Sequence, residues 1–186
     1  NNKTTTPYEV EIYNRYQHGE MLSSDSIHFD DSLRFETKKL KRAVYGGGGI
    51  MPDCFVPIDT TQTTPLFRDL ILKGALFKAG TKYIESNREK LRVTYSQFDL
   101  FKREFHLNEA LVSLLKKTAK ESGIKENKEE FQSSFSQIEL RIKALIARDL
   151  WGLSEYFQIV NDSNQSLLKA IDLLKNGEYE KVLSVK

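Results

Sequence analysis

A chain of 186 residues, 39% of them hydrophobic and 29% charged, is long enough to bury a sizeable core without staples. Twenty-eight Lys and Arg against 26 Asp and Glu leave a net charge of +2, too balanced to argue for nucleic acid as a partner. Cys54 is the one cysteine, which excludes an internal disulfide and a cysteine zinc cluster, and no apolar run approaches the roughly 18 residues of a membrane span.

The chain opens Asn1-Asn2-Lys3 rather than with Met, which reads as a cut within a longer protein. Pro7 to Tyr16 predicts a short helix, with proline in its first turn and Gly19 just past its end. Ser23 to Ser26 reads as a loop. Ile27–Phe29 and Leu33–Phe35, on either side of Asp30-Asp31-Ser32, predict a small hairpin or an irregular meander. Arg42–Tyr45 reads as a strand, and Cys54–Ile58 as a second extended piece that Pro52 and Pro57 keep out of helix.

The pattern turns helical after Thr60. Thr64-Pro65 starts a helix carrying Phe67, Leu70, Ile71, Gly74, Phe77 and Ile84 at helical spacing. Ser96 is placed to cap a short helix with Phe98 and Phe101, and Asn108 another with Leu111, Leu114 and Leu115, closed by Ser122-Gly123. Asn127 with Glu130 three residues on has the form of a capping box. The stripe Phe131, Phe135, Ile138, Ile142, Leu145 and Ile146 follows, up to Trp151-Gly152. A last helix spans Gln165 to Lys175 and stops before Gly177. The fold expected is mainly α: an extended segment over residues 1–61, then a helical domain of five or six helices over 62–186.

Few residues have the spacing of a reactive site. Ser23, Ser24, Ser133 and Ser134 lie in no Gly-x-Ser-x-Gly setting, and Cys54 stands in an apolar context that suits an inert buried thiol. His18, His28 and His106 have no second ligand at helical spacing, so no metal site is expected. Asp30 and Asp31, adjacent on an extended segment, point to opposite faces and do not pair for acid–base work. The basic run Lys38-Lys39-Leu40-Lys41-Arg42 reads as a solvated hairpin tip rather than a site for an anionic partner. Lys116, Lys117, Lys120, Lys125 and Lys128 alternate with Glu121, Glu126, Glu129 and Glu130, the pattern of a solvent-facing surface.

The most informative stretch is Tyr45-Gly46-Gly47-Gly48-Gly49-Ile50-Met51-Pro52-Asp53. Four glycines between apolar neighbours are costly to order, and serve where backbones approach closely or φ turns positive. A phosphate cradle would need a lysine and a helix start after the glycines; Ile50-Met51-Pro52-Asp53 provides neither. With Arg42 and Val44 ahead of it, this block resembles the signature near the end of the protease domain in C-terminal processing (tail-specific) serine peptidases, in particular their Bacteroides-like form. Tyr13-Asn14-Arg15-Tyr16, His18-Gly19-Glu20, Asp25-Ser26-Ile27, Asp31-Ser32-Leu33, Phe55-Val56-Pro57 and Asp59-Thr60-Thr61 extend the likeness in order. Ala147 to Gly152 resembles the helical extension of the same group. One departure is Lys41, where the family's block carries glycine.

The resemblance implies a longer protein, a periplasmic or envelope endopeptidase acting near protein C-termini with a Ser/Lys dyad and neither metal nor cofactor. It also implies a PDZ-like domain, a possible homo-oligomer, and possible attachment of the whole protein to a membrane through its N-terminus. Both dyad residues precede this segment in the family, and no motif for either occurs here. No catalytic residue is therefore carried over, and the chain alone is expected to be inactive. Arg42, Tyr45, Gly46, Gly47, Gly48, Gly49, Pro52 and Asp53 carry over as a structural motif only. The alternative is a free-standing helical module for protein interaction; an exposed apolar surface over residues 1–60 would favour the peptidase fragment, and a patch along one helix the module.

Overall fold

The computed structural model describes residues 8–39, 41–46, 52–59 and 63–184, and these are mainly α-helical, with ten α-helices and one two-stranded sheet. By their backbone contacts they form two units, one within 1–59 and 165–186, the other within 60–164.

The 60–164 unit holds the core. Helix α2 (Pro65–Leu72) starts as the sequence predicts: Thr64 Oγ1 accepts the Phe67 N–H at 3.2 Å, and Pro65 occupies a first-turn position that needs no donor. The helix does not run on to Ile84. Gly74 turns to φ +70°, and α3 (Ala75–Thr94) begins beyond it. The apolar repeat continues across that break, so spacing alone does not reveal it. Helix α4 (Phe98–Glu104) is capped at Gln97 rather than Ser96, without a side-chain bond.

Helix α5 (Glu109–Glu121) has the predicted cap, with Asn108 Oδ1 accepting the Leu111 N–H at 2.9 Å. It ends at Gly123, φ +68°, where the Ile124 N–H reaches back to the Ala119 carbonyl at 3.0 Å, the six-to-one bond of a Schellman motif. Helix α6 (Lys128–Ser133) opens on the N-cap half of the predicted capping box: Asn127 Oδ1 accepts the Glu130 N–H at 3.1 Å, while the return bond runs from the Asn127 side-chain amide, Nδ2 donating to Glu130 Oε1 at 2.8 Å. At Ser134 a single turn residue interrupts the predicted long helix. The ladder persists, with Ile138 N–H bonded to the Ser134 carbonyl at 2.9 Å, and α7 (Phe135–Leu150) follows. After Gly152, at φ +142°, come α8 (Leu153–Val160) and a short 3-10 turn at Asn161–Ser163.

Helix α3 packs on α5 and α7, and α7 on α8. Phe101, Phe105, Leu111, Leu115, Ile138, Ile142 and Ile146 are fully buried between them. The Phe101 ring lies 4.6 Å from Phe105 and 5.1 Å from Trp151, so Trp151 is packed against the core.

The other unit begins with α1 (Tyr8–Gln17), closed at Gly19 (φ +79°) by a second Schellman pair, Glu20 N–H to Arg15 carbonyl at 3.1 Å and Gly19 N–H to Tyr16 carbonyl at 3.1 Å. Of the two arrangements the sequence offers for 27–35, the hairpin does not form there. Asp30 caps a 3-10 turn (Asp31–Leu33), and the antiparallel pair is β1 (Arg34–Glu36) with β2 (Ala43–Tyr45), Phe35 opposite Val44. The predicted extended piece at 54–58 pairs with no strand among the described residues; Ile58 N–H makes a single bond to the Met21 carbonyl at 3.0 Å. Helices α9 (Gln165–Lys175) and α10 (Tyr179–Ser184) group with this unit rather than with the helical domain to which a boundary at residue 61 assigns them. Leu168 of α9 lines one shallow depression with Phe55, Val56 and Pro57. None of the described residues of this unit is fully buried.

Candidate functional site

The glycine block meets the structure at its two ends; Gly47, Gly48 and Gly49, with Ile50 and Met51, lie outside the described residues. Arg42 and Asp53, which bracket the run, form an ion pair. The pair is partly shielded, with 20% and 34% of the two side chains exposed, and the Arg42 Nε–H is buried with no bonded partner among the described residues. Asp53 is thus an anchor for Arg42. Thr37 fixes the approach: its Oγ1 accepts the Arg42 N–H at 3.0 Å and its N–H donates to the Arg42 carbonyl at 2.9 Å.

Lys41, just before that arginine, has φ +54°, the only positive φ among the described non-glycine residues. A left-handed backbone is the conformation glycine tolerates and lysine resists. Tyr45 stacks on Phe29 with ring centroids 4.4 Å apart. The Gly46 N–H donates to the Leu33 carbonyl at 2.8 Å, and the Phe35 ring covers the glycine so closely that a Cβ would meet its Cε2 at 2.7 Å. Pro52 is exposed. The described part of the block is a backbone device without a nucleophile.

The residues weighed for reactivity, none of which the sequence puts in a reactive setting, are placed as follows. Ser134 is fully buried, its hydroxyl 2.7 Å from Thr64 Oγ1. Ser23 accepts the Asp25 N–H at 3.2 Å. Asp30 takes hydrogen bonds from Ser32, which hold its carboxyl below the usual carboxylate range. Cys54 is half-buried, and the basic run does sit on the hairpin connection between β1 and β2. His106 bonds Glu139 across 3.1 Å at the surface. Folding does bring His18 and His28 together, with Glu20, Asp25 and Ser26, around a polar depression of about 470 Å³. Glu20 is engaged by Arg15 at 2.7 Å, and no three such groups among the described residues stand where they would hold a metal ion.

A second location was not legible as a site. Leu66 and Leu70 of α2, Leu115 and Ala119 of α5, Ile124 and Phe131 form the apolar floor of a cleft of about 610 Å³. That volume is in the range of ligand sites, roughly 300–1,000 Å³. Lys116, Lys117, Lys120 and Lys125 stand on its rim, with Glu126 as the one acid there. Lys116 is committed: its Nζ lies 3.3 Å from Glu126 and 5.6 Å above the Phe131 ring. Lys117, Lys120 and Lys125 have no carboxylate partner among the described residues, so uncompensated positive charge surrounds an apolar floor. The lysines that the sequence presents as a solvated face therefore have a shared surface to act on. The signal that would have found it is Leu115 and Ala119 at i, i+4, directly beside Lys116 and Lys120.

Among the described residues, no helix is long and apolar enough to cross a membrane. A family model described as "Family of unknown function (DUF8443)" matches residues 66–152, from the first turn of α2 through α7 to Gly152. The lysine-rimmed cleft falls wholly within that span. No curated protein and no solved structure matches the chain.

Proposed function

We propose that the chain is the C-terminal part of a C-terminal processing serine endopeptidase, and that its helical domain has a non-catalytic role in substrate access or assembly. The observation that carries the proposal is Lys41. Its φ of +54° stands at the one position of the block where this chain departs from the resembled family's glycine, so the backbone asks for the residue the resemblance names. The large apolar residues exposed over 8–59 agree with this: Tyr13, Phe35 and Ile58 are 61%, 57% and 52% exposed, as expected of a segment that packs on a protease core. On this reading the whole protein is a periplasmic or envelope enzyme whose substrates are polypeptides, and peptide hydrolysis belongs to a serine and a lysine upstream.

The second reading, a free-standing interaction module, is favoured by one feature. Leu167, Leu168, Ile171 and Leu174 form an exposed stripe along α9. The deciding experiment is to read the coding sequence upstream of Asn1 and to assay both the full-length product and this chain on peptides with apolar C-termini. Cleavage by the full-length protein alone, lost on replacing an upstream serine or lysine, is the expected result. An upstream region lacking both residues, or cleavage by this chain alone, overturns it.

A further inference from the structure

We propose that the cleft between α2, α5 and α6 receives the C-terminal tail of a polypeptide, apolar side chains on the floor and the terminal carboxylate among Lys117, Lys120 and Lys125. The choice of a polypeptide tail, among apolar carboxylates, rests on the endopeptidase reading; the charge and apolarity of the site do not.

The complementarity is specific. What the floor leaves open to an occupant is apolar, the half-buried Phe131 ring with the edges of Leu66 and Ile124, each 8% exposed, and a charged or strongly hydrated group does not suit it. The occupant must also present negative charge at the mouth, because three of the four rim lysines have no carboxylate partner among the described residues. A chain terminus meets both demands within one residue, since the carboxylate is attached to the Cα that bears the last apolar side chain. Lys117 and Lys120 lie at i, i+3 on α5, one helical turn apart, and so face the same side. Lys125 comes from the α5–α6 connection, just after the Gly123 cap reverses the chain. Lys116, held by Glu126, forms wall rather than charge.

Exposed ion pairs are individually weak, and two or three lysines acting on one carboxylate give roughly a tenfold preference for the free acid, weakened by salt. The lysines select the end of a chain over its middle.

The test is fluorescence anisotropy on this chain with a short peptide labelled at its N-terminus and ending in two leucines, as free acid and as C-terminal amide. The free acid is expected to bind about tenfold more tightly than the amide, and the difference to disappear in the Lys120→Gln, Lys125→Gln variant. Lys169→Gln, on α9, is the control expected to bind like the unaltered chain. Backbone amide shifts at Leu115, Ile124 and Phe131 on peptide addition would place the binding in the cleft. Equal affinity for acid and amide overturns the proposal, as does binding that the lysine substitutions leave unchanged. Absence of peptide binding also overturns it, whether or not laurate, an apolar carboxylate without a peptide, occupies the cleft. Because the chain is assayed without cleavage, such a failure leaves the endopeptidase reading to its own upstream test.

Discussion

Lys41 gives the clearest consequence of a single side chain. A left-handed backbone costs an L-residue about 1–2 kcal/mol, while glycine gives back about 0.5–1 kcal/mol through its freer unfolded chain. Lys41→Gly should therefore stabilise the turn by about 0.5–1 kcal/mol. Amide exchange at Thr37, whose N–H is bonded to the Arg42 carbonyl at 2.9 Å, is expected to slow about two- to fivefold. Unchanged or faster exchange would mean that the lysine side chain makes up the strain. This position was half legible: the departure from glycine was visible in the sequence, but its φ was not. The Arg42–Asp53 pair was not legible at all, because its partners stand 11 residues apart across the glycine run and no helical or strand period links them.

At the scale of elements, Glu130 ties two helices together. One carboxylate oxygen takes the Asn127 amide at 2.8 Å and the other the Leu66 N–H, in the first turn of α2, at 2.7 Å. Replacing Glu130 by Ala leaves a part-buried N–H without its acceptor, at a cost of about 1–3 kcal/mol. Urea unfolding should show that loss, and Glu130→Gln, which keeps one acceptor oxygen, a smaller one. Equal stability of Glu130→Ala and the unaltered chain would show that water replaces the carboxylate at Leu66. The capping half of this arrangement is readable because Asn127 and Glu130 are three residues apart. The bond to α2 spans 64 positions and has no local signature. The same limit hid both helix breaks. Apolar residues recur in phase through Gly74 and Ser134, whereas the breaks depend on a positive φ at one and a buried hydroxyl pair with Thr64 at the other. The cleft escaped for a related reason, its lysines and two of its six floor residues, Leu66 and Leu70, coming from segments some 50 residues apart.

For the molecule as a whole, every fully buried residue among those described lies between Leu66 and Ile159, so cooperative unfolding reports on the 60–164 unit. Its pH dependence carries the mark of Lys143 on α7. Burial lowers the pKa of this lysine, with Lys102 adding to the shift and Glu139 and Asp162 opposing it. Between that lowered value and the ordinary lysine value of 10.5, the unfolded chain binds the proton better than the folded one. Stability therefore gains from this group as pH rises through the interval. Lys143→Met should be more stable than the unaltered chain near neutral pH, and the gap should narrow toward about pH 10 in parallel urea titrations. A gap independent of pH would assign the gain to packing alone.

The glycines that end α5 and α9 have a stereochemical consequence. Gly123 and Gly177 have φ +68° and +66°, and a Cβ built on either meets nothing within 4 Å. Crowding is thus no obstacle to an L side chain there; handedness is. Mirror-image substitution separates the two: by chemical ligation, D-alanine at Gly123 or Gly177 is expected to raise stability by about 0.4–1 kcal/mol, because its preferred φ is positive and it narrows the unfolded ensemble. L-alanine at the same site should lower it by about 1 kcal/mol. Two chains identical in composition and sequence, differing only in the configuration of one carbon, would then unfold at different urea concentrations.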